Sequence, residues 1–265
     1  MNTNKIYQVD SFNKEPFKGN PAGVMLVDES ITEAWMQQMA AEMNLSETAF
    51  MLPLAKGFKI RYFTPVAEVA LCGHATLAAA HIAYELGLVK RTEAVFFKAK
   101  DTDLQVQADG ENLVMDFPRY RLDKIETPEN FASIVGFEPV ECYQSDYKWV
   151  LAVANNETQV TEAAPQFDKM AQNNIGRLII TAKSNAAETD FVVRCFVPEM
   201  GINEDPVTGS VQCALAPLWA KKLNKTQLNS LQASKRTGLL KAELQGQKVQ
   251  ITGNAVTVFE ATLKM

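Results

Sequence analysis

The pattern Arg-x-Phe-x-Pro occurs twice, at Arg61–Pro65 and at Arg194–Pro198, 133 residues apart in a chain of 265. Each copy leads through a loop to a glycine, Gly73 or Gly209, and then into an apolar run of helical length. The two glycines lie 136 residues apart, so only a small insertion separates the copies. One repeat of half a chain is too long for a solenoid and argues for two related lobes. The polar, Pro-bounded stretch from Pro118 to Pro128 marks the boundary. This predicts an N-terminal lobe over 1–118 and a C-terminal lobe over 119–265, with the final strand free to pack back on the first lobe. Gly73 and Gly209 are expected to face one cleft.

The two corners are where chemistry is expected. Arg61 to Ala80 reads as a strand, a turn closed by Pro65, and a helix that opens around Gly73 and His74. A helix opening presents backbone N–H groups without intrahelical partners at the positive end of the dipole, which suits a carboxylate or phosphate. Gly73 lets a ligand approach the backbone, and His74 is one of two histidines in the chain. In the second half, Gly201-Ile-Asn-Glu-Asp-Pro-Val-Thr-Gly-Ser210 precedes the apolar run Val211 to Ala220. Asp205 before Pro206 suits a turn, and Ser210 suits a helix N-cap. No Gly-x-Ser-x-Gly elbow surrounds Ser210, so it is not read as a nucleophile.

Along the chain, strands are expected at Ile6–Phe12, Val24–Val27 after the Gly19-Asn-Pro turn, Phe58–Phe63, and in the segments near 95–98, 104–108 and 113–117. Trp35, Met36, Met39, Ala40 and Met43 recur at helical spacing and read as a core stripe. The second half offers strands at Tyr147–Val153 and Asp190–Val197, a helix from Pro165 to Gln172, and several short closing strands. Asn174-Ile-Gly-Arg-Leu-Ile-Ile-Thr181 resembles Asn44-Leu-Ser-Glu-Thr-Ala-Phe-Met51 at an offset of 130, which sets Arg177 opposite Glu47 in the repeat. By its residues alone Glu47 reads first as a solvated carboxylate capping a loop; a half-buried one beside a cleft would instead have a raised pKa and suit proton transfer near neutral pH. The carboxylate is one-sided.

Composition excludes several classes. Hydrophobic residues make up 47% and charged residues 22%, the range of a soluble globular protein. The net charge of −5, without a Lys/Arg run, argues against nucleic-acid binding. No apolar run reaches membrane-spanning length and no targeting segment is apparent, so a cytoplasmic location is expected. Cys72, Cys142, Cys195 and Cys213 show no CxxC spacing and read as free thiols. Two histidines and scattered cysteines make no zinc motif along the chain, so no metal is expected.

Gly19-Asn-Pro-Ala22, Ser46-Glu-Thr-Ala49, Arg61-x-Phe-Thr-Pro65, Leu71-Cys-Gly-His-Ala-Thr76 and Glu204-Asp-Pro-Val-Thr-Gly-Ser210 together resemble the PhzF-like (phenazine-biosynthesis-like) family. Gln232-Ala-Ser-Lys-Arg-Thr-Gly238 and Gly253-x-Ala-Val-x-Val258 extend the resemblance over almost the whole chain, with Thr237 where the family usually has glycine. The resemblance implies the α+β, diaminopimelate-epimerase-like fold of two pseudo-symmetric lobes, each a curved, mostly antiparallel sheet around a central helix. It also implies a cofactor-independent isomerase acting on a small, cyclic carboxylic acid, and a homodimer. Carried over, Glu47 is the proton carrier in the interlobe cleft, with His74 and Asp205 orienting or polarising the substrate. Asn20, Gly73, Gly209 and Ser210 are then the substrate contacts.

Two other readings stay open at this level. One is a cysteine-based amino-acid racemase or epimerase using Cys72, which lacks a partner thiol because the second half has Asp205-Pro-Val-Thr-Gly209 in that place. The other is a small-molecule-binding relative without chemistry, which the joint presence of Glu47 and His74 argues against.

Overall fold

The computed structural model describes residues 4–264. In chain order the elements are β1 Lys5–Ser11, β2 Asn20–Leu26, α1 Glu33–Met43, β3 Glu47–Pro53, β4 Phe58–Phe63, β5 Glu68–Val69, α2 Gly73–Glu85, β6 Val95–Lys98, β7 Asp103–Asp109 and β8 Asn112–Pro118. They continue with β9 Leu122–Ile125, α3 Phe131–Val135, β10 Glu141–Ser145, β11 Val150–Val153, α4 Glu157–Thr161, α5 Phe167–Met170, β12 Leu178–Lys183, β13 Phe191–Val197 and β14 Ile202–Glu204. The chain closes with α6 Gln212–Leu223, β15 Gln227–Gln232, β16 Gly238–Gln245, β17 Lys248–Gly253 and β18 Ala255–Thr262. The class is α+β, as expected.

The chain forms two compact units, one running up to Asp116 and resuming at Thr252, the other covering Phe117–Ile251. Their strand ladders follow one plan. In the first unit β1 runs antiparallel to β2, β2 parallel to β3, β3 antiparallel to β4, β4 parallel to β6 and β6 antiparallel to β7. In the second, β10, β11, β12, β13, β15 and β16 repeat that order of senses. The plan extends to the ends: β18 pairs antiparallel with β1, and β9 with β10. Each half of the sequence thus closes with a strand that belongs to the other unit's ladder.

The doubled Arg-x-Phe-x-Pro pattern has a physical reason. Arg61 donates from Nε and Nη2 to the two carboxylate oxygens of Glu68 at 2.7 and 2.9 Å, and its guanidinium lies over the Phe63 ring. Arg194 does the same with Glu204 at 2.7 and 2.9 Å, over the Phe196 ring. In a strand, residues i and i+2 share a face, so the spacing stacks each arginine on its phenylalanine. The bidentate pair then pins the short return strand, β5 or β14, against its neighbour.

Helix packing explains the apolar runs. The first unit's α2 lies on β1, β2, β3 and β18, with every residue from His74 to Ala80 buried. The Trp35–Met43 stripe packs as core: Met36 and Ala40 are buried beside Ile6, Met25, Phe50 and Phe63. The second unit's α6 carries Pro217 in its interior, which removes the N–H that would bond the Cys213 carbonyl. Tyr120 N–H donates to that carbonyl instead, at 3.0 Å.

Several sequence expectations are corrected. The Gly19-Asn-Pro segment is not all turn. Gly19 makes the turn at φ +70° and Asn20 already begins β2. A strand over Tyr147–Val153 starts only at Val150, because Tyr147 and Lys148 take left-handed φ of 61° and 63° in a 3-10 turn. The Pro118–Pro128 stretch contains β9, which pairs with β10. The expected helix at Pro165–Gln172 is a single turn followed by a 3-10 turn. Ser210 is not the cap of α6. The cap is Val211, and successive bonds from Gln212, Cys213 and Ala214 N–H to the carbonyls of Gly209, Ser210 and Val211 wind the chain tightly into the helix.

Candidate active site

One end of the first unit's sheet gathers the site. Ser11 of β1 lies opposite Asn20 of β2, and Ala22 of β2 lies opposite Glu47, the first residue of β3. Glu47 reaches this place because Asn44 closes α1 in the left-handed conformation at φ 49°, which turns the chain into β3 within three residues. The N-terminus of α2 arrives beside them. Cys72 is its cap residue and supplies no side-chain cap to the first turn, Gly73 to Ala75. Ser11 Oγ donates to the His74 carbonyl at 2.8 Å and ties that turn to the sheet.

The His74 ring is the hub. It is buried, and its Nε2 lies 3.3 Å from Glu47 Oε2. Its Nδ1 lies 3.2 Å from the Asn20 amide nitrogen and 3.4 Å from Cys72 Sγ. An amide N–H can only donate, so Asn20 assigns Nδ1 as the acceptor and places the ring proton on Nε2, from which it is donated to Glu47. Burial pushes the His74 pKa down to about 3, so the contact with Glu47 is a hydrogen bond from a neutral ring. The Glu47 side chain is 17% exposed. This is a carboxylate held by a neutral donor at a partly exposed place, an arrangement that suits a positioned general base.

Glu47, His74, Gly73 and Asn20 are therefore brought together, with Cys72 among them. Asn20 is fully buried and touches the ring; its role in this geometry is to set the tautomer. Ser11 was missed by sequence reading, since a lone strand serine carries no motif.

The residues expected from the second half form a cluster of their own. Asp205 accepts from Thr208 Oγ1 at its carboxylate and from Gln232 Nε2 at its carbonyl, at 2.7 Å for the latter. Gln232 Oε1 also accepts the Thr208 N–H at 2.8 Å, and Ser234 Oγ donates to the Pro206 carbonyl at 2.6 Å. The Gln232–Gly238 motif thus holds the Asp205–Ser210 loop in shape. Within it Thr237 sits at φ 58°, a strained region for a β-branched residue and the reason glycine suits that position. Arg177, the counterpart of Glu47 in the repeat, follows the left-handed Asn174 and is paired with Glu199 at 2.7 Å.

The buried neutral histidine carries a pH dependence. Unfolded, His74 titrates near 6.5; folded, it stays neutral to about pH 3. Between those values the unfolded chain binds one more proton, so this group's contribution to stability falls as pH falls through that window. His74→Gln is expected to flatten the urea-midpoint profile between pH 6.5 and 4. An unchanged slope would show that other groups dominate.

Comparison with known proteins follows the geometry. A family profile described as phenazine biosynthesis-like protein matches residues 9–261. A relative from Halalkalibacterium halodurans, named an uncharacterized isomerase, is 42% identical over 264 residues, covering 99% of each chain. A crystal structure of a PhzF-family phenazine biosynthesis protein from Enterococcus faecalis superposes with a TM-score of 0.93 at 35% identity, over 98% of this chain and 99% of that one. A predicted epimerase from Pseudomonas aeruginosa, 18% identical, has a TM-score of 0.76 over 99% of each chain and shows the epimerase-like fold. Among the described residues, no helix is long and apolar enough to cross a membrane.

Proposed function

Because this chain belongs to the phenazine biosynthesis-like family and is an isomerase, we propose that it moves a proton between carbons of a small, cyclic carboxylic acid without a cofactor, with Glu47 as the proton carrier. The observation that carries this reading is the 3.3 Å contact between Glu47 and a His74 ring held neutral by burial. A neutral Nε2–H steadies the carboxylate without consuming its charge, so the carboxylate keeps the basicity to take a carbon-bound proton. Gly73 and the first turn of α2 offer backbone N–H groups to the substrate carboxylate. By their motif, Asp205, Gly209 and Ser210 belong to the same proposed set. The proposal extends to a homodimer, on family grounds, and to a cytosolic location, on the sequence, which light scattering and cell fractionation would test.

Because Cys72 Sγ lies 3.4 Å from the ring, a thiol mechanism is the reading to separate. The test is solvent-deuterium uptake into a panel of small cyclic and amino carboxylic acids by Cys72→Ala and His74→Ala. Cys72→Ala is expected to keep most of the exchange, and His74→Ala to lose on the order of 10²–10⁴-fold. The reverse ranking would favour the cysteine-based epimerase.

A further inference from the structure

A cavity of about 690 Å³ opens in the second unit beside the last two turns of α6. The 12 residues of α6 span roughly 18 Å at 1.5 Å per residue, so the cavity stands about a helix length from the Asp205–Ser210 loop. Pro217, Ala220, Lys221 and Asn224 follow one another at the i, i+3, i+4 and i+7 spacing of one helix face and give it one wall. Leu244, near the end of β16, extends the aliphatic part of the lining, which among the described residues includes no aromatic side chain. The turn that closes α6 is fixed. Asn224 takes the left-handed conformation at φ 52°, and the N–H groups of Asn224 and Lys225 both donate to the Ala220 carbonyl. The volume falls in the range of small-molecule sites, about 300–1,000 Å³.

The charge of the lining is one-sided. Arg119, Lys221 and Lys225 line the cavity and, among the described residues, no carboxylate does, in a chain whose net charge is −5. Lys225 is paired with Asp190 at 2.5 Å. Arg119 and Lys221 make no side-chain hydrogen bond or ion pair among the described residues. The negative end of the α6 dipole gives a lysine there a structural use, which Lys222, paired with Glu141 at 2.5 Å, also serves. Arg119 lies outside the helix, just after β8, so the dipole does not account for it. We propose that this cavity binds a phosphate monoester with a small aliphatic body, its phosphate held by Arg119 and Lys221. Such a phosphate carries about two negative charges at neutral pH, which matches the two unpaired cations. A guanidinium offers it two parallel N–H groups, and the ammonium adds a point charge. Pro217, Ala220 and Leu244 meet the carbon body, and without an aromatic face the lining has nothing to stack a nucleobase. The site lies within one unit and is independent of the isomerase reading.

The test titrates the full chain with glycerol 3-phosphate by calorimetry at low ionic strength, with glycerol as the uncharged arm. Saturable binding is expected from the phosphate and none from glycerol. Arg119→Gln and Lys221→Gln should each weaken it by about tenfold, the loss of one charge-assisted contact. Both residues are exposed, so the variants should fold, and their urea midpoints check this. Lys98→Gln removes an exposed charge of the first unit and should leave binding unchanged. In two-dimensional NMR of the unmutated chain, the amides of Thr226 and Leu244, both in the lining, should shift on titration. No saturable binding, an affinity unchanged in Arg119→Gln, an equal loss in Lys98→Gln, or shifts confined to the first unit each overturns the site. None of these readings involves turnover, so this proposal and the isomerase reading fail separately.

Discussion

Glu47→Gln is expected to keep the fold and ligand binding while losing turnover by on the order of 10²–10⁴-fold or more. Glutamine has the shape of glutamate, and its carbonyl oxygen can still accept the proton that His74 Nε2 donates across 3.3 Å. What it lacks is basicity. The loss should appear in kcat, with ligand affinity little changed, because the removed interaction is made with a proton in flight. The repeat sharpens the expectation. Arg177, at the matching place in the second half, is paired with Glu199, so no second carboxylate mirrors Glu47. A single base returns the proton to the face from which it came. The product should therefore be an isomer with a shifted double bond, retaining part of a substrate deuterium label. Clean inversion at one carbon, or full activity in the variant, would place the proton carrier elsewhere.

The second large effect concerns the strand that closes the first unit. Ending the chain at Asn254 removes β18 and leaves all seven residues of β1, Lys5 to Ser11, paired only on the β2 side or not at all. Each hydrogen bond contributes about 0.5–1.5 kcal/mol net, so the loss amounts to several kcal/mol. Natural domains hold only about 5–15 kcal/mol in total. Further losses follow where Leu263 packs against the Ile6–Met25–Phe50 cluster, where Lys5 pairs with Glu260, and where Thr257 bonds His81. The truncated chain should lose hydrogen-exchange protection throughout β1 and β2 and unfold earlier in urea. The second unit, with its own strands and β9, should keep its protection. A urea midpoint equal to that of the full chain would refute the claim that β18 is integral to the first unit.

Much of the fold was legible along the chain. Offsets between like segments are read directly from residue order, and a repeat of half the chain leaves few arrangements open. The central helices announced themselves as apolar runs because burial all round leaves no polar stripe to confuse the reading. The misses have specific causes. Two successive left-handed residues, Tyr147 and Lys148, delay a strand that the Tyr147 side chain favours. Neither side chain signals that conformation. Ser210 looked like a cap because serine is a good one, but the tight turn places Val211 at that position. The polar segment holding β9 read as linker because that strand is only half-buried and short.

The site divides in the same way. Sequence singled out Cys72 and His74, since Gly-His at a helix opening is a local feature, while the role of Glu47 came from the family resemblance of its motif. It also set the asymmetry of the repeat, a carboxylate in one half and an arginine in the other. Only the tertiary structure decided what those residues are to one another. The neutrality of His74 comes from burial by elements far apart in the chain, and its tautomer from Asn20, 54 residues away. The thiol, imidazole and carboxylate come within 4.8 Å of one another only when β3 is laid beside the opening of α2. That β9 joins the second unit's ladder was also beyond the reach of local pattern. Strand pairing is a property of two distant segments, and no single stretch of sequence carries its partner's address.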